Sequence, residues 1–340
     1  MKFPRILVKA PNWIGDAVLA TPLLAALRAH WPDAHLGVLA RAKIRPVIER
    51  GPAVDEIVDE PEGSPLRFAR LLREGTWDLA ISCSSSLRVA VAFGAARIPV
   101  RIGFAGGGRH LFLTEPVPPP PRSTHQIEHY LLLGMAAGLD APGVRDLVWQ
   151  TRPEDDAEVD RFLRISAEGG DRFVAFAPGA SYGPAKRWFP RRWAALGDRL
   201  ALENGVRAVL VGGPEEQAAS LGIAAIMARP PVNASGLLSL GGTAALLKRC
   251  RAFVSNDSGL MHVGVAVGVP TIGLFGSSNP HWTGPRGGRH EALWGNVSCS
   301  PCYRRACVRG RDYGCLDALT VDRVTAAVGT AVVEGKGWNV

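Results

Sequence analysis

Several features that would assign this chain to a common class of protein are missing from its sequence. No run of about 18 or more apolar residues occurs, so no membrane-spanning helix is predicted. The first residues lack the long apolar region and the small-residue cleavage site of a secretory signal. We therefore expect a cytoplasmic protein with reduced thiols. Basic residues are scattered rather than grouped in blocks, which argues against a nucleic-acid-binding surface.

Lysine is scarce, although the chain is basic. Of its 39 basic residues, six are lysines and 33 are arginines, and the formal net charge is +8 with a pI of about 9.5. Arginine suits phosphates and carboxylates because its guanidinium group binds them through two parallel hydrogen bonds. The charge therefore favours an anionic substrate or an anionic membrane surface as a partner.

Short apolar strands alternate with helical patterns along the chain. Because these strands are almost continuously apolar, they predict parallel sheets buried between helices. The pattern occurs twice, which predicts an α/β protein with two doubly wound, Rossmann-like domains facing a central cleft. The domains are expected at 1–165 and 166–340, with the last helix able to pack back on the first. The predicted strands are 5–10, 35–40, 55–59, 78–83, 173–178, 207–213, 252–256 and 271–276.

The segment Ser255–Gly276 has the pattern of a strand, a turn, a helix and a second strand. Asp257, Ser258 and Gly259 lie where the first strand meets the helix, and His262 follows within the helix. The free N–H groups and the positive dipole end of a helix start suit a phosphate, and glycine lets a ligand approach the backbone closely. The pattern indicates an anion site; the alternative is that the acid or the hydroxyl only caps the helix.

A second acidic residue follows the first predicted strand. Asp16 lies after Gly15 in a predicted turn, just beyond the carboxyl end of the strand, where open α/β sheets bind ligands. It could serve there as a general base, or it could be a turn or capping residue. The lone glycine is not the glycine-rich turn of dinucleotide-binding domains, which argues against a dehydrogenase.

Two further loops follow predicted strands in the second half of the chain. The first holds Lys186 among glycines and prolines, so it combines positive charge with close backbone approach. Its alternative is a solvated basic loop. The second is a Gly-Gly-Pro turn followed by Glu215 and Glu216. Acids are favoured in the first turn of a helix in any case, but one of these could bind the hydroxyl groups of a ribose.

Four of the six cysteines fall in one short segment near the C-terminus. Four thiols in a cytoplasmic protein could hold a structural zinc ion. The spacing is not a regular pair of Cys-x-x-Cys units, so reduced thiols or a disulfide remain alternatives. Cys83 and Cys250, outside the segment, are predicted to be ordinary buried residues. The four clustered residues are Cys299, Cys302, Cys307 and Cys315.

Taken together, these motifs resemble those of the ADP-heptose:lipopolysaccharide heptosyltransferases of glycosyltransferase family 9. The Gly-Asp turn followed by Thr-Pro, the loop YGPAKRWFP, the turn GGPEE and the motif DSGLMH occur in order across nearly the whole chain. The resemblance implies a GT-B fold and an inverting transferase that moves L-glycero-D-manno-heptose from ADP-heptose to the first heptose of the lipopolysaccharide inner core. The form PNWIGD and the cysteine-rich tail look most like the enzymes that add the second heptose.

Two alternatives to this function stay open. One is another GT-B transferase with a different heptose position or sugar donor. The other is a non-catalytic module that binds a nucleotide sugar.

The resemblance also implies roles for single residues. Asp16 corresponds to the base that takes the proton of the acceptor hydroxyl, and Lys186 matches a lysine on the donor phosphates, next to Ser181. Glu216 falls where an acid binds the ribose, with Glu215 as its rival. The other donor-side positions are Leu238, packed on adenine, and Asp257, Ser258, Gly259 and His262 at the pyrophosphate; the acceptor-side candidates are Lys9 and Asn12.

The partners implied are ADP-heptose and a heptosyl-Kdo2-lipid A acceptor, with no required cofactor and no nucleic acid. That acceptor lies at the inner face of the inner membrane, so we expect peripheral contact with anionic lipid. Arg41, Arg101 and Arg109 lie in predicted loops of the first domain and are candidates for binding the acceptor.

Overall fold

A computed structural model describes residues 3–140, 143, 145–166, 172–310 and 313–334. The chain forms two compact units, Met1–Trp149 and Gln150–Val340. This boundary falls earlier than the predicted one at 165/166, because the helix Pro153–Ser166 packs on the helix Leu240–Lys248 of the second unit.

The first unit is built on a parallel sheet of six strands. The strands are β1 (Arg5–Lys9), β2 (His35–Ala40), β3 (Glu56–Asp59), β4 (Leu79–Ser82), β5 (Val100–Phe104) and β6 (Glu115–Val117). The helices are α1 (Ile14–Leu19), α2 (Thr21–His30), α3 (Arg45–Ile48), α4 (Pro65–Glu74), α5 (Leu87–Ala95) and α6 (Gln126–Ala136). The strand order is β3-β2-β1-β4-β5-β6, so successive strands are added on one side of β1 and then, from β4 onward, on the other. Doubly wound sheets bind ligands at this switch between β1 and β4, outside the carboxyl ends of the strands.

The second unit repeats this architecture. Its strands are β7 (Phe173–Ala177), β8 (Arg207–Leu210), β9 (Val232–Asn233), β10 (Ala252–Asn256), β11 (Thr271–Phe275) and β12 (Glu291–Trp294). Its helices are α7 (Pro153–Ser166), α8 (Pro190–Asn204), α9 (Gln217–Ala224), α10 (Leu240–Lys248), α11 (Gly259–Ala266), α12 (Pro280–Thr283), α13 (Gly314–Asp317) and α14 (Val321–Glu334). The order β12-β11-β10-β7-β8-β9 reverses between β7 and β10. The predicted α/β class with two doubly wound parallel sheets is confirmed.

The core of the second unit explains where its last helix packs. Trp188 and Trp193 are buried with their rings 5.2 Å apart, edge to face. The indole nitrogen of Trp188 donates to the carbonyl oxygen of Leu319 at 2.8 Å, just before α14. Helix α14 then packs on α8 and β10. Helix α14 therefore packs within the second unit.

The segment after β1 differs from its predicted form. Asp16 lies within the short helix α1 rather than in an irregular turn. One residue separates α1 from helix α2, which has Pro22 in its first turn. The hydroxyl of Thr21 donates to the carbonyl oxygen of Val18 at 2.7 Å. Thr21 and Pro22 thus mark the junction between α1 and α2. Asp16 lies in the first turn of α1, close in the chain to the carboxyl end of β1.

None of the described helices has the length and apolar character that a membrane span requires.

Candidate active site

In the second unit, Lys186 and Asp257 meet where the strand order reverses. Asp257 follows β10, and Lys186 ends the 3₁₀ turn Pro184–Lys186, in the loop after β7. The Lys186 ammonium group donates to a carboxylate oxygen of Asp257, and the hydroxyl of Ser278 donates to the same oxygen. The lysine side chain is 18% exposed and that of the aspartate 6%. The structure thus joins two predicted residues in a nearly buried ion pair.

Helix α11 begins beside this ion pair. Ser258 occupies its N-cap position, and no hydrogen bond from that side chain to the helix start is present among the described residues. Asp257 is engaged by Lys186 and Ser278 instead of capping the helix. The capping interpretation is therefore not supported, and the N–H groups from Gly259 onward present a helix start suited to an anion. His262, also predicted, is buried on the same helix.

Asn256 fixes the lysine loop to β10. Its side chain is fully buried, donates to the carbonyl oxygen of Pro178 at 2.7 Å and accepts from the backbone N–H of Trp188 at 3.1 Å. These bonds join the loop after β7 to the end of β10 on both sides of Lys186. Sequence analysis missed Asn256 and Ser278, although each follows or ends a predicted strand beside the motif.

Glu216 lies on the next loop of the same sheet. Its carboxylate accepts from the backbone N–H of Gly213 at 2.9 Å. It also packs against the backbone of Gly179, where a Cβ atom would lie 1.9 Å from a carboxylate oxygen of Glu216, so a larger residue at 179 would displace this carboxylate. Burial raises the pKa of Glu216, and the neighbouring charge of Glu215 adds to the shift. Glu215 is exposed while Glu216 is half-buried, which favours Glu216 as the ribose-binding acid.

The two remaining donor-side predictions lie in loops. Ser181 is exposed in the loop that carries Lys186, and Leu238 is half-buried shortly before α10. Both follow strands of the sheet that holds the ion pair, at its carboxyl edge.

The cysteine-rich segment packs on the lysine loop. The hydroxyl of Tyr182 donates to the carbonyl oxygen of Tyr303 at 2.6 Å, and the N–H of Ala185 donates to that of Arg305 at 3.0 Å. Gly183 has a φ of 152°, and a Cβ atom there would lie 2.5 Å from the Arg305 carbonyl oxygen. Glycine is therefore required at this contact, and the segment helps to set the position of Lys186.

The four clustered cysteines line one cavity of about 320 Å³, together with Ala185 and Ser277. Burial raises the pKa of Cys315, and the nearby Cys299 and Cys302 raise it further. Among the described residues no group of three or more histidine, cysteine or acidic side chains is arranged to hold a metal ion. The predicted zinc site therefore gains no support from the arrangement of the thiols.

The two other cysteines are buried, as predicted. Burial raises the pKa of Cys83 to about 12 and that of Cys250 to about 12, so both thiols stay protonated at neutral pH.

In the first unit, Asp16 is partly buried on α1, beside the reversal between β1 and β4. Helix α1 packs on α6, which carries Tyr130. Burial, reinforced by the nearby charge of Asp16, raises the pKa of Tyr130 well above its usual value. The phenol is therefore a neutral neighbour, and its oxygen accepts from the Gln126 amide at 2.8 Å.

Lys9 and Asn12, the predicted acceptor-side residues, contact each other at the end of β1. The Lys9 side chain is fully buried, and its ammonium group lies 3.0 Å from the amide oxygen of Asn12 and 3.4 Å from a carboxylate oxygen of Glu60. Burial lowers the pKa of Lys9, although the attraction of Glu60 opposes the shift. Glu60, which the sequence did not single out, thus belongs to this region.

The three arginines predicted as candidates for binding the acceptor differ in their hydrogen-bond and ion-pair partners. Arg101 donates to the backbone carbonyl oxygens of Ile98 and Phe112, and Arg109 donates to those of Phe104, Ser85 and Ala105. Both guanidinium groups therefore brace loops. Arg41 pairs with Glu60 at 3.3 Å and its side chain is 51% exposed. Arg41 is the one of the three whose surroundings suit a ligand.

The sequence is similar to a known protein family and to its members. The model of the family described as glycosyltransferase family 9 (heptosyltransferase) matches residues 65–311. The lipopolysaccharide heptosyltransferase 2 of Salmonella typhimurium is 31% identical over 299 residues, which cover 83% of this chain and 85% of the relative.

Two solved structures share the fold over nearly their whole length. The Escherichia coli ADP-heptose lps heptosyltransferase II has a TM-score of 0.84 at 27% identity, covering 99% of this chain and 100% of the other. A glycosyl transferase family 9 protein from Veillonella parvula has a TM-score of 0.85 at 24% identity, covering 98% of each chain.

Proposed function

The chain belongs to glycosyltransferase family 9, and from that premise we propose that it transfers L-glycero-D-manno-heptose from ADP-heptose to the first heptose of the lipopolysaccharide inner core. The observation that carries the donor assignment is the Lys186–Asp257 ion pair beside the start of α11. The acceptor assignment rests on the similarity to heptosyltransferase 2 relatives.

The second unit would bind the donor. As the glycosidic bond breaks, negative charge grows on the diphosphate that leaves. Lys186 and the N–H groups at the start of α11 can stabilise that charge, with Ser181 beside them. Asp257 keeps the ammonium group at this end of the sheet before the donor arrives. Glu216 would bind the ribose, and Leu238 would pack on the adenine.

The first unit would supply the base. In the proposed step the Asp16 carboxylate takes the proton of the acceptor hydroxyl, whose oxygen attacks the anomeric carbon of the donor. The bond from that carbon to the diphosphate oxygen breaks as the new bond forms, and ADP leaves with the electron pair. A single displacement inverts the anomeric centre, so the proposal needs one base and no enzyme nucleophile.

The proposed acceptor is heptosyl-Kdo2-lipid A at the cytoplasmic face of the inner membrane. A net charge of +8 suits peripheral contact with that anionic surface. No cofactor enters the proposal.

The direct test is a transfer assay with ADP-heptose and heptosyl-Kdo2-lipid A. We expect one heptose to be added and linkage analysis to place it on the first heptose. Addition at another position would support a different member of the family, and the absence of transfer would support a non-catalytic binding module.

Competition between nucleotides tests the donor assignment separately. ADP should inhibit transfer more strongly than UDP or GDP. Stronger inhibition by either of those nucleotides would contradict the assignment of an ADP-sugar.

A further inference from the structure

Glu60 contacts three basic side chains at one edge of the sheet in the first unit. Its side chain is 2% exposed and lies 3.4 Å from the Lys9 ammonium group and 3.3 Å from the guanidinium group of Arg41. Its second carboxylate oxygen accepts from Arg88, which also donates to the carbonyl oxygen of Pro61 at 2.8 Å. The cluster Lys9–Arg41–Glu60–Arg88 is therefore a fixed arrangement of charges.

The sheet brings these residues together from four separate segments. Lys9 ends β1, Arg41 follows β2, Glu60 follows β3, and Arg88 lies in the first turn of α5 after β4. All four lie at the carboxyl edge of the parallel sheet, where ligands bind in this fold. Helix α1, which carries Asp16, packs on the 3₁₀ turn 42–44 directly after Arg41. The cluster and Asp16 therefore belong to the same edge.

The cluster carries more positive charge than its own carboxylate can neutralise. Burial alone would raise the pKa of Glu60, but the attraction of Lys9, Arg41 and Arg88 outweighs burial and lowers it, so the group is ionised. One carboxylate then faces three cations. The neighbouring acid Asp59 is paired with Arg45 at 3.3 Å. One cation would be enough to neutralise Glu60 in a purely structural ion pair. The additional positive charge of the cluster therefore suits an anionic ligand.

The two arginines are the part of the cluster that a ligand can reach. The Arg41 side chain is 51% exposed and that of Arg88 25%, while Lys9 is sealed. Trp13, a residue that is 54% exposed, precedes α1, and the ammonium group of Lys43, two residues after Arg41, lies 4.6 Å from the centre of its ring. An exposed tryptophan beside a group of cationic side chains suits a sugar that carries an anionic group.

We propose that Arg41 and Arg88, held in place by Glu60, bind an oxyanion of the acceptor, either a carboxylate or a phosphate. This inference rests on the proposed function and names the part of the acceptor that the first unit recognises. Glu60 is a positioning residue that orients both guanidinium groups. Because these side chains are already ordered, binding the anion costs little additional conformational entropy.

Kinetics with the acceptor varied test the inference. Arg41→Ala and Arg88→Ala should each raise the acceptor KM about 10- to 100-fold, since each loses a charge-assisted hydrogen bond. The affinity for ADP, measured by calorimetry, should stay unchanged. The matched control is Arg45→Ala, because Arg45 lies on the same edge but pairs with Asp59 and Glu49. It should leave the acceptor KM at the wild-type value.

Three acceptor probes separate the sources of the anion: heptosyl-Kdo2 oligosaccharide without lipid A, carboxyl-reduced heptosyl-Kdo2-lipid A that keeps its phosphates, and dephosphorylated heptosyl-Kdo2-lipid A. Calorimetric binding of each probe needs no turnover, so it reports on the inference even if transfer fails. A carboxylate site predicts weak binding of the reduced form alone, and a phosphate site predicts weak binding of both probes that lack phosphate.

The arginine variants should lose the preference that the wild type shows among these probes. Variants that keep the wild-type preference and the wild-type KM would overturn the anion site while leaving the proposed transfer intact. Thermal unfolding checks that each variant is folded, and Arg41→Lys, at the more exposed position, should retain part of the affinity through its charge.

Discussion

At the scale of single residues, the proposed binding of the donor depends on Lys186 being held in place before any ligand binds. The chain has only six lysines, and this one is paired with a nearly buried carboxylate that also accepts from Ser278. Its ring neighbour Tyr182, 5.0 Å from the ammonium group, restricts it further. A cation fixed in this way can meet developing negative charge without reorganising.

Replacing this cation should slow the chemical step. Lys186→Ala should lower kcat about 100-fold at saturating ADP-heptose, the loss typical of removing one group that stabilises transition-state charge. Lys248→Ala is the matched control, because Lys248 is exposed at the end of α10 in the same unit. A near-normal kcat for Lys186→Ala would remove this residue from the catalytic machinery.

Sequence reasoning could name Lys186, Asp16 and Glu216 because each follows the end of a predicted strand. It could not assemble the cluster around Glu60. Its four members come from four segments, and only the order of the strands brings Glu60 within 3.4 Å of Lys9. Glu60 is also one of five acidic residues between 55 and 62, and nothing in the pattern distinguishes it from its solvated neighbours.

At the scale of elements, the sequence predicted the central strands of each sheet and the edge strand β3, and it missed β5 and the edge strands β6, β9 and β12. Strands β1, β4, β7 and β10 are buried and almost continuously apolar. The missed strand β6 contains a proline, which removes a backbone donor and is tolerated at a sheet edge. Strand β9 has two residues, too few for a periodic pattern. The edge strands β6 and β9 therefore depend on the sheet beside them more than on their own residues.

One edge of the second sheet should be sensitive to pH. His290 precedes β12 and its Nδ1 atom accepts from the backbone N–H of Thr271, which begins β11, at 3.2 Å. Burial, with a smaller effect of Arg289, lowers the pKa of His290 to about 4. The unfolded chain, with a histidine pKa of about 6.5, binds the proton more tightly. The stability due to the neutral ring is therefore present above about pH 6.5 and is lost as the pH falls toward 4.

Denaturant unfolding of the wild type and of His290→Asn measures this effect. The asparagine keeps an acceptor near the position of Nδ1 but does not titrate. The difference in unfolding free energy between the two proteins should be largest at pH 7 and should shrink below pH 6. If the unfolding free energies of the two proteins changed in parallel with pH, His290 would not be the source of the predicted pH dependence of stability.

At the scale of the whole molecule, two units with the same strand order are proposed to divide the work. In this proposal the second unit binds the donor diphosphate through the features around Lys186, and the first unit supplies Asp16 and the cations that bind an acidic acceptor. The repeated α/β pattern was enough to predict two doubly wound sheets. It was not enough to place the boundary, because helix α7 has a weak apolar stripe and its unit is decided by packing on α10.

This division predicts that donor binding and transfer can be separated by one substitution. Asp16→Asn keeps the shape of the side chain but removes the carboxylate that would take the acceptor proton. It leaves the donor-binding residues of the second unit untouched. The variant should therefore bind ADP as the wild type does and fail to transfer heptose.

The most direct measurement is a single-turnover transfer assay with ADP-heptose and heptosyl-Kdo2-lipid A, run on the wild type and Asp16→Asn beside calorimetric ADP titrations of both. The account predicts product from the wild type, at least 100-fold less from the variant, and equal affinities for ADP. Substantial transfer by Asp16→Asn would contradict the assignment of the base, and absence of transfer by the wild type would contradict the proposed reaction itself.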